Sequence, residues 1–165
     1  MDNTVFHKLS YGVYAVLCWD EGRPTGCTAN SIMQIMAEPP SIAVSINRNN
    51  YTNKCIKDVG KFSVSILSEQ SDPAIIGKLG FFSGRDTDKL KDIPYSIKGY
   101  MPVIDDSCGY MVCEVENTVE TDTHTVFFAR VVDGAAKDGV PMTYAYYHNV
   151  VKGKTAPNAP TYIKE

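Results

Sequence analysis

The stretch Ser41-Ile42-Ala43-Val44-Ser45-Ile46 alternates without a break: Ile42, Val44 and Ile46 fall on one face, Ser41, Ala43 and Ser45 on the other. Period-two alternation marks a strand with one face against a core. On its N-terminal side Glu38-Pro39-Pro40 interrupts the ladder, because proline has no N–H to donate. Further upstream, Gly26 to Met36 is a mixed small and apolar run. Tyr11 to Trp19 is another strand, ended by a hairpin turn at Asp20-Glu21-Gly22-Arg23-Pro24. Downstream, Asn47 to Thr52 is polar and turn-like. A short helix is expected over Thr52 to Val59, with Asn50 or Thr52 as N-cap and Gly60 at the stop.

Period two returns over Lys61 to Leu67, with Phe62, Val64 and Ile66 on one side. Ser71-Asp72-Pro73 opens a helix reaching Leu79 and ending near Gly80, with proline in its first turn. Phe81 to Asp92 is a loop or short helix. Two long strands lie near Tyr110 to Val119 and His124 to Val132, and Tyr144 to His148 is aromatic and strand-like. Strands dominate and no fixed-period repeat occurs. The pattern predicts a mainly β domain, a barrel with short inserted helices rather than alternating βαβ units.

A chain of 165 residues fits one domain able to bury a core without disulfides or metal. With 44% hydrophobic and 21% charged residues it is ordinary globular material. A net charge of -3 gives no reason to expect nucleic acid or an anionic membrane as partner, and any anionic ligand must be held locally. No signal peptide and no membrane-length apolar run is read. Cys18, Cys27, Cys55, Cys108 and Cys113 form no C-x-x-C, so metal is not expected, and they fit free thiols in a reducing cytosol. A dinucleotide G-x-G-x-x-G, a P-loop, H-E-x-x-H and a serine elbow are all missing. A Cys–His nucleophile pair depends on spatial pairing and stays open at this point.

Four segments remain: Gly26-Cys27-Thr28-Ala29-Asn30-Ser31, Asn47-Arg48-Asn49-Asn50-Tyr51-Thr52, Phe82-Ser83-Gly84-Arg85-Asp86 and Thr123-His124-Thr125-Val126-Phe127-Phe128. In this order and spacing, from about Leu9 to Thr161, they resemble the flavin reductase-like, FMN-binding split-barrel family. The likeness is to the branch of flavoredoxins and of flavin domains fused to rubredoxin. It implies a Greek-key split β-barrel over 1–151, with 152–165 as an extended C-terminal arm or linker.

The resemblance also implies a site. Thr28, Ala29, Asn30 and Ser31 would meet the flavin ring and ribityl chain; their small side chains allow close backbone approach, and their hydroxyl and amide groups can donate and accept. Ser45, Ile46, Asn47, Tyr51 and Thr52, at a helix start, and Phe82, Ser83, Gly84 and Arg85 would hold the phosphate, through a helix N-terminus and a guanidinium. Arg85 and the Tyr51-Thr52 turn are thus expected to face one another. His124 would lie near the flavin and the nicotinamide, as cofactor contact and catalytic candidate. His148 is placed in the same region or at a subunit contact, and Cys27 beside the ring. Gln34 departs from the small hydroxyl residue common in the wider family.

The function so implied is hydride transfer from NAD(P)H to FMN and electron transfer onward to rubredoxin, another iron protein or free flavin, in a cytoplasmic homodimer. The alternative is an electron carrier reduced by a partner protein without NAD(P)H. A third reading keeps the barrel for another ligand such as haem. In the fused relatives a similar linker leads into a rubredoxin domain. Here the chain reaches Glu165 without an iron-binding C-x-x-C, leaving a separate partner, a fragment or a free-standing relative as alternatives.

Overall fold

The computed structural model describes residues 1–162; residues 163–165 of the predicted arm lie outside them. A short 3₁₀ turn, Asn3–Lys8, comes first. Nine strands follow: β1 Tyr14–Asp20, β2 Arg23–Ala29, β3 Ile32–Ala37, β4 Pro40–Asn47, β5 Lys61–Ile66, β6 Tyr95–Lys98, β7 Met101–Ile104, β8 Gly109–Glu120 and β9 His124–Ala136. Three helices interrupt them: α1 Tyr51–Val59, α2 Pro73–Phe81 and α3 Tyr144–Asn149.

Seven strands form one antiparallel sheet in the order β2-β1-β5-β8-β9-β4-β3, and β6-β7 form a separate hairpin. β2 and β3 are the opposite edges of that sheet, yet only Asn30 and Ser31 separate them in the chain. Three peptide steps from Ala29 to Ile32 reach at most about 11 Å. The sheet must therefore roll until its edges nearly meet, leaving a seam between β2 and β3. Register shifts at Gln34/Met36, Val112/Cys113 and Val115/Asn117 supply local bends for that curl. Pro24 is tolerated within β2 because β2 is an edge.

Alternation along the strands makes two cores. Val16, Cys18, Cys27, Ala29, Ile42, Val44, Ile46, Phe62, Val64, Cys113 and Phe127 fill the barrel, and Cys55 and Ile56 of α1 plug its end. The intervening residues Ala15 and Leu17 face outward, under Ile75, Ile76 and Leu79 of α2, Ile104 of β7 and Tyr147 of α3.

Helix α1 begins at Tyr51, with Asn50 as its cap, accepting from the Thr52 N–H, and ends at left-handed Gly60. α2 begins at Pro73 under an Asp72 cap and runs to Phe81, slightly past the expected end. Tyr144–His148 is not a strand. Thr143 caps a helix there, its side chain accepting from the Tyr146 N–H. Tyr144, Tyr147 and His148 then share one helical face, with Tyr144 and His148 centroids 4.4 Å apart. Phe81 to Asp92 contains no further helix beyond the end of α2.

Candidate functional site

The seam brings the first predicted segment together with the strand ends of β4 and β9. Thr28 Oγ1 donates to the Ile76 carbonyl of α2 (3.1 Å). The Ala29 side chain packs in the barrel. Ser31 Oγ donates to the Ser45 carbonyl (2.9 Å), and the Ser45 N–H returns a bond to the Ser31 carbonyl (3.2 Å). Asn47 is the register partner of His124 on β9, so β3, β4 and β9 align Ser31, Ser45, Asn47 and His124. Ile46 turns its side chain into the core, and its carbonyl accepts from Asn53 Nδ2 (3.0 Å). Any contact it makes to a ligand is confined to backbone.

Two side chains here have unmet hydrogen-bonding capacity. Asn30 is 4% exposed; its Nδ2 donates to Thr161 Oγ1 (2.7 Å), while its Oδ1 has no partner among the described residues. His124 pairs Nδ1 with Thr123 Oγ1 (2.7 Å), and its buried Nε2 completes no well-formed hydrogen bond among the described residues, although the Asn158 backbone lies nearby. Burial pushes the imidazole pKa down; the nearby Asn158 backbone opposes this and Arg48 adds to it. Buried polar atoms left unpaired are costly and need an explanation.

The second predicted group gathers around the start of α1. The Arg85 guanidinium lies over the Tyr51 ring, 5.3 Å from its centroid. Tyr51 donates its hydroxyl to Asp20 (2.9 Å), so this residue is a platform for Arg85 rather than a free donor. Arg23 binds Asp20 and the Gly84 carbonyl, both at 2.7 Å, and fixes the loop. Gly84 sits where a Cβ would come within 2.2 Å of Thr25 Oγ1, so a side chain is excluded. Ser83 Oγ accepts from the Arg85 N–H (3.2 Å). Thr52 is buried in the first turn, and Phe82 is exposed.

Arg85 forms no ion pair among the described residues. Arg48 from the same predicted segment is instead tied to Glu120 and to the Thr121 and Asp122 carbonyls, where it fastens the β8–β9 turn.

Strand β2 joins the two groups. Thr25, at the Gly84 end, is the third buried side chain whose polar atom lacks a partner. Thr25 to Asn30 spans about 16 Å of strand. Between them Cys27 is buried in the barrel, and burial raises its thiol pKa. The other four thiols are buried as well; burial pushes Cys18 and Cys113 up to about 12. Burial raises the pKa of each, and no Cys–His hydrogen bond occurs among the described residues, which counts against the Cys–His alternative. Gln34 is exposed on β3 and donates to the Met36 carbonyl (3.4 Å).

Several participants were not predicted. Lys89, 4% exposed, donates to the Gly26 (2.7 Å) and Leu79 (2.8 Å) carbonyls, tying β2 to α2; burial lowers its pKa. Its setting beside Asp88 in a charged loop gives no hint of burial. Asp20 and Arg23 flank the predicted turn, and Thr25 follows it on β2. Thr155 and Thr161 of the arm were hidden in a segment with no periodic signal.

A sheet rolled until its edge strands β2 and β3 meet at a seam is the split-barrel architecture of flavin reductases. The chain belongs to the flavin reductase-like domain family, whose model matches residues 6–154. It is 39% identical over 165 residues to a high molecular weight rubredoxin of Moorella thermoacetica, covering 98% of this chain and 72% of that protein. It is 34% identical to an NAD(P)H ferric-chelate reductase of Archaeoglobus fulgidus, covering 99% of each. An FMN-binding protein of Thermus thermophilus has the same fold, with a TM-score of 0.77, 23% identity, and 84% and 83% of the two chains covered.

Among the described residues no three His, Cys, Asp or Glu side chains are placed to hold a metal. No described helix is long and apolar enough to cross a membrane.

Proposed function

We propose that the chain binds FMN along β2 and transfers hydride from NAD(P)H to it, with electrons passing on to rubredoxin, another iron protein or free flavin. The observation that carries this is a set of buried polar atoms that complete no hydrogen bond among the described residues: Thr25 Oγ1, Asn30 Oδ1 and His124 Nε2. Asn30 and His124 lie in two of the four segments, Thr25 just ahead of the first, and a ligand with a polar edge would pair them. The residues fit a flavin mononucleotide in charge as well. Its phosphate carries about -1.5 to -2. Arg85, held over Tyr51 without a carboxylate partner, answers that charge in a chain whose net charge is -3.

When bound, the isoalloxazine ring supplies a hydride acceptor that can release electrons singly. The protein's own residues do the positioning. Arg85, Ser83 and the first turn of α1 would hold the phosphate end. Asn30 Oδ1 would accept from the ring edge, while Ser31 and Ser45 lock the seam behind it. His124, whose burial disfavours the charged imidazolium, would present Nε2 to the ring or the nicotinamide. Asn47 and Thr52 complete the polar lining. The NAD(P)H ferric-chelate reductase likeness and the rubredoxin likeness support the donor and the iron acceptor respectively. A homodimer is part of the same reading: edge strand β3 exposes Met33, Ile35 and Met36, a surface a second copy would cover.

The test is the visible spectrum of FMN-loaded protein before and after anaerobic NADH or NADPH. Bleaching by one of them is expected. Stable binding of FMN without bleaching by either would exclude direct NAD(P)H use and leave a carrier reduced by a protein partner.

A further inference from the structure

Resting on the FMN reading above, we infer that residues 152–162 are a self-lid: in the flavin-free chain the arm covers the ring end of the pocket and must lift off Asn30 before a ring can seat. The arm leaves α3 through Gly153, where a Cβ would lie 1.9 Å from the Tyr147 ring, so only glycine permits this close turn. The Gly153 carbonyl meets His148 Nδ1 (2.9 Å), and the Lys154 carbonyl accepts from the Tyr147 hydroxyl (3.2 Å). Thr155 Oγ1 pairs with the Tyr144 hydroxyl and with His148 Nε2. Ala156 then passes over Gly80 beside Thr28, the Asn158 backbone approaches His124, and Thr161 Oγ1 takes the Asn30 amide. The arm thus touches Thr28, Asn30 and His124, all of them assigned to the ring.

Space decides whether arm and ring can coexist there. The cavity between the arm and Thr28, Ala29 and Asn30 is about 40 Å³. That is room for a few waters. A drug-sized ligand such as a flavin ring needs on the order of 300 Å³ or more. Chemistry points the same way. Thr161 satisfies only the donor half of Asn30 and leaves Oδ1 buried without a partner, whereas a flavin edge offers adjacent donor and acceptor groups that would satisfy both halves.

The arm is held by hydrogen bonds and not by charge. Among the described residues it makes no ion pair, and Lys152, Lys154, Pro157 and Pro160 are exposed. Segments with few buried apolar contacts open at low cost. An arm that must open lowers the apparent affinity by the open fraction.

The test is stopped-flow FMN binding to the flavin-free full chain, followed by flavin fluorescence, for wild type and for Thr161→Val, with a chain ending at Val151 as a second variant checked by circular dichroism. For wild type the observed rate should level off as FMN rises, limited by arm opening. Thr161→Val should bind faster and about tenfold tighter. Tryptic cleavage after Lys152 and Lys154 should increase when FMN is added to wild type. Unchanged or weaker binding by Thr161→Val, together with protection of Lys152 and Lys154 by FMN, would overturn the lid while leaving the flavin reading intact. Absence of FMN binding by every chain would overturn both.

Discussion

Arg85 is the cation whose surroundings best distinguish ligand binding from structure. Arg23 and Arg48 are tied to Asp20 and to Glu120, whereas Arg85 rests on an aromatic face with its hydrogen-bonding fork open. A charge-assisted bond to phosphate is worth about 1.5–3 kcal/mol. Arg85→Gln should therefore weaken FMN binding by roughly ten- to a hundredfold and leave riboflavin, which lacks the phosphate, unaffected. Fluorescence titration of both ligands checks this, and equal losses for the two would remove Arg85 from the phosphate site. Asn30 and His124 were legible as polar residues in a strand context. What the sequence concealed was their unmet partners, because pairing depends on which strands become neighbours. Thr25 was invisible for the same reason: its significance arises only where the Gly84 loop is pressed against it.

At the level of elements, the knot that ties α1 to the β8–β9 turn is a site of pH dependence. Lys57 of α1 and Arg48 both pair with Glu120, and Thr125 donates to it. Lys57 first, then Arg48 and Thr125, pull the Glu120 carboxyl from its ordinary 4.5 down to about 2. A depressed acid stabilises the fold above its unfolded pKa and ceases to do so as pH falls through the folded value. Glu120→Gln should melt slightly below wild type at pH 7, solvent screening keeping the difference small, with the gap narrowing between pH 4.5 and pH 2. Thermal melts across that range are the measurement. These elements were readable from period and caps: Ser41–Ile46, Lys61–Leu67, the Asn50 cap and the Pro73 start all reappear. Tyr144–His148 misled because aromatics favour strands. The 144, 147, 148 spacing behind a threonine was the helical signal available. The β6–β7 hairpin turns at Gly99-Tyr100, where both residues have positive φ, and a tyrosine there advertises no such turn.

On the scale of the molecule, the barrel class followed from the count of strands and the scarcity of helices, but its closure did not. Strand order is a long-range property, and nothing local in Gly26 to Met36 announces that the run changes edge at Asn30-Ser31. The exposed Met33, Ile35 and Met36 on that edge carry the dimer prediction: light scattering should give twice the 18.2 kDa chain mass, and Met33→Lys should shift it toward the monomer. A monomeric wild type would contradict it.

Asn30 and Ser31 bridge the rolled sheet and, in the proposed function, also line the flavin site, so architecture and chemistry there would draw on the same two residues. Selection cannot retune one without disturbing the other.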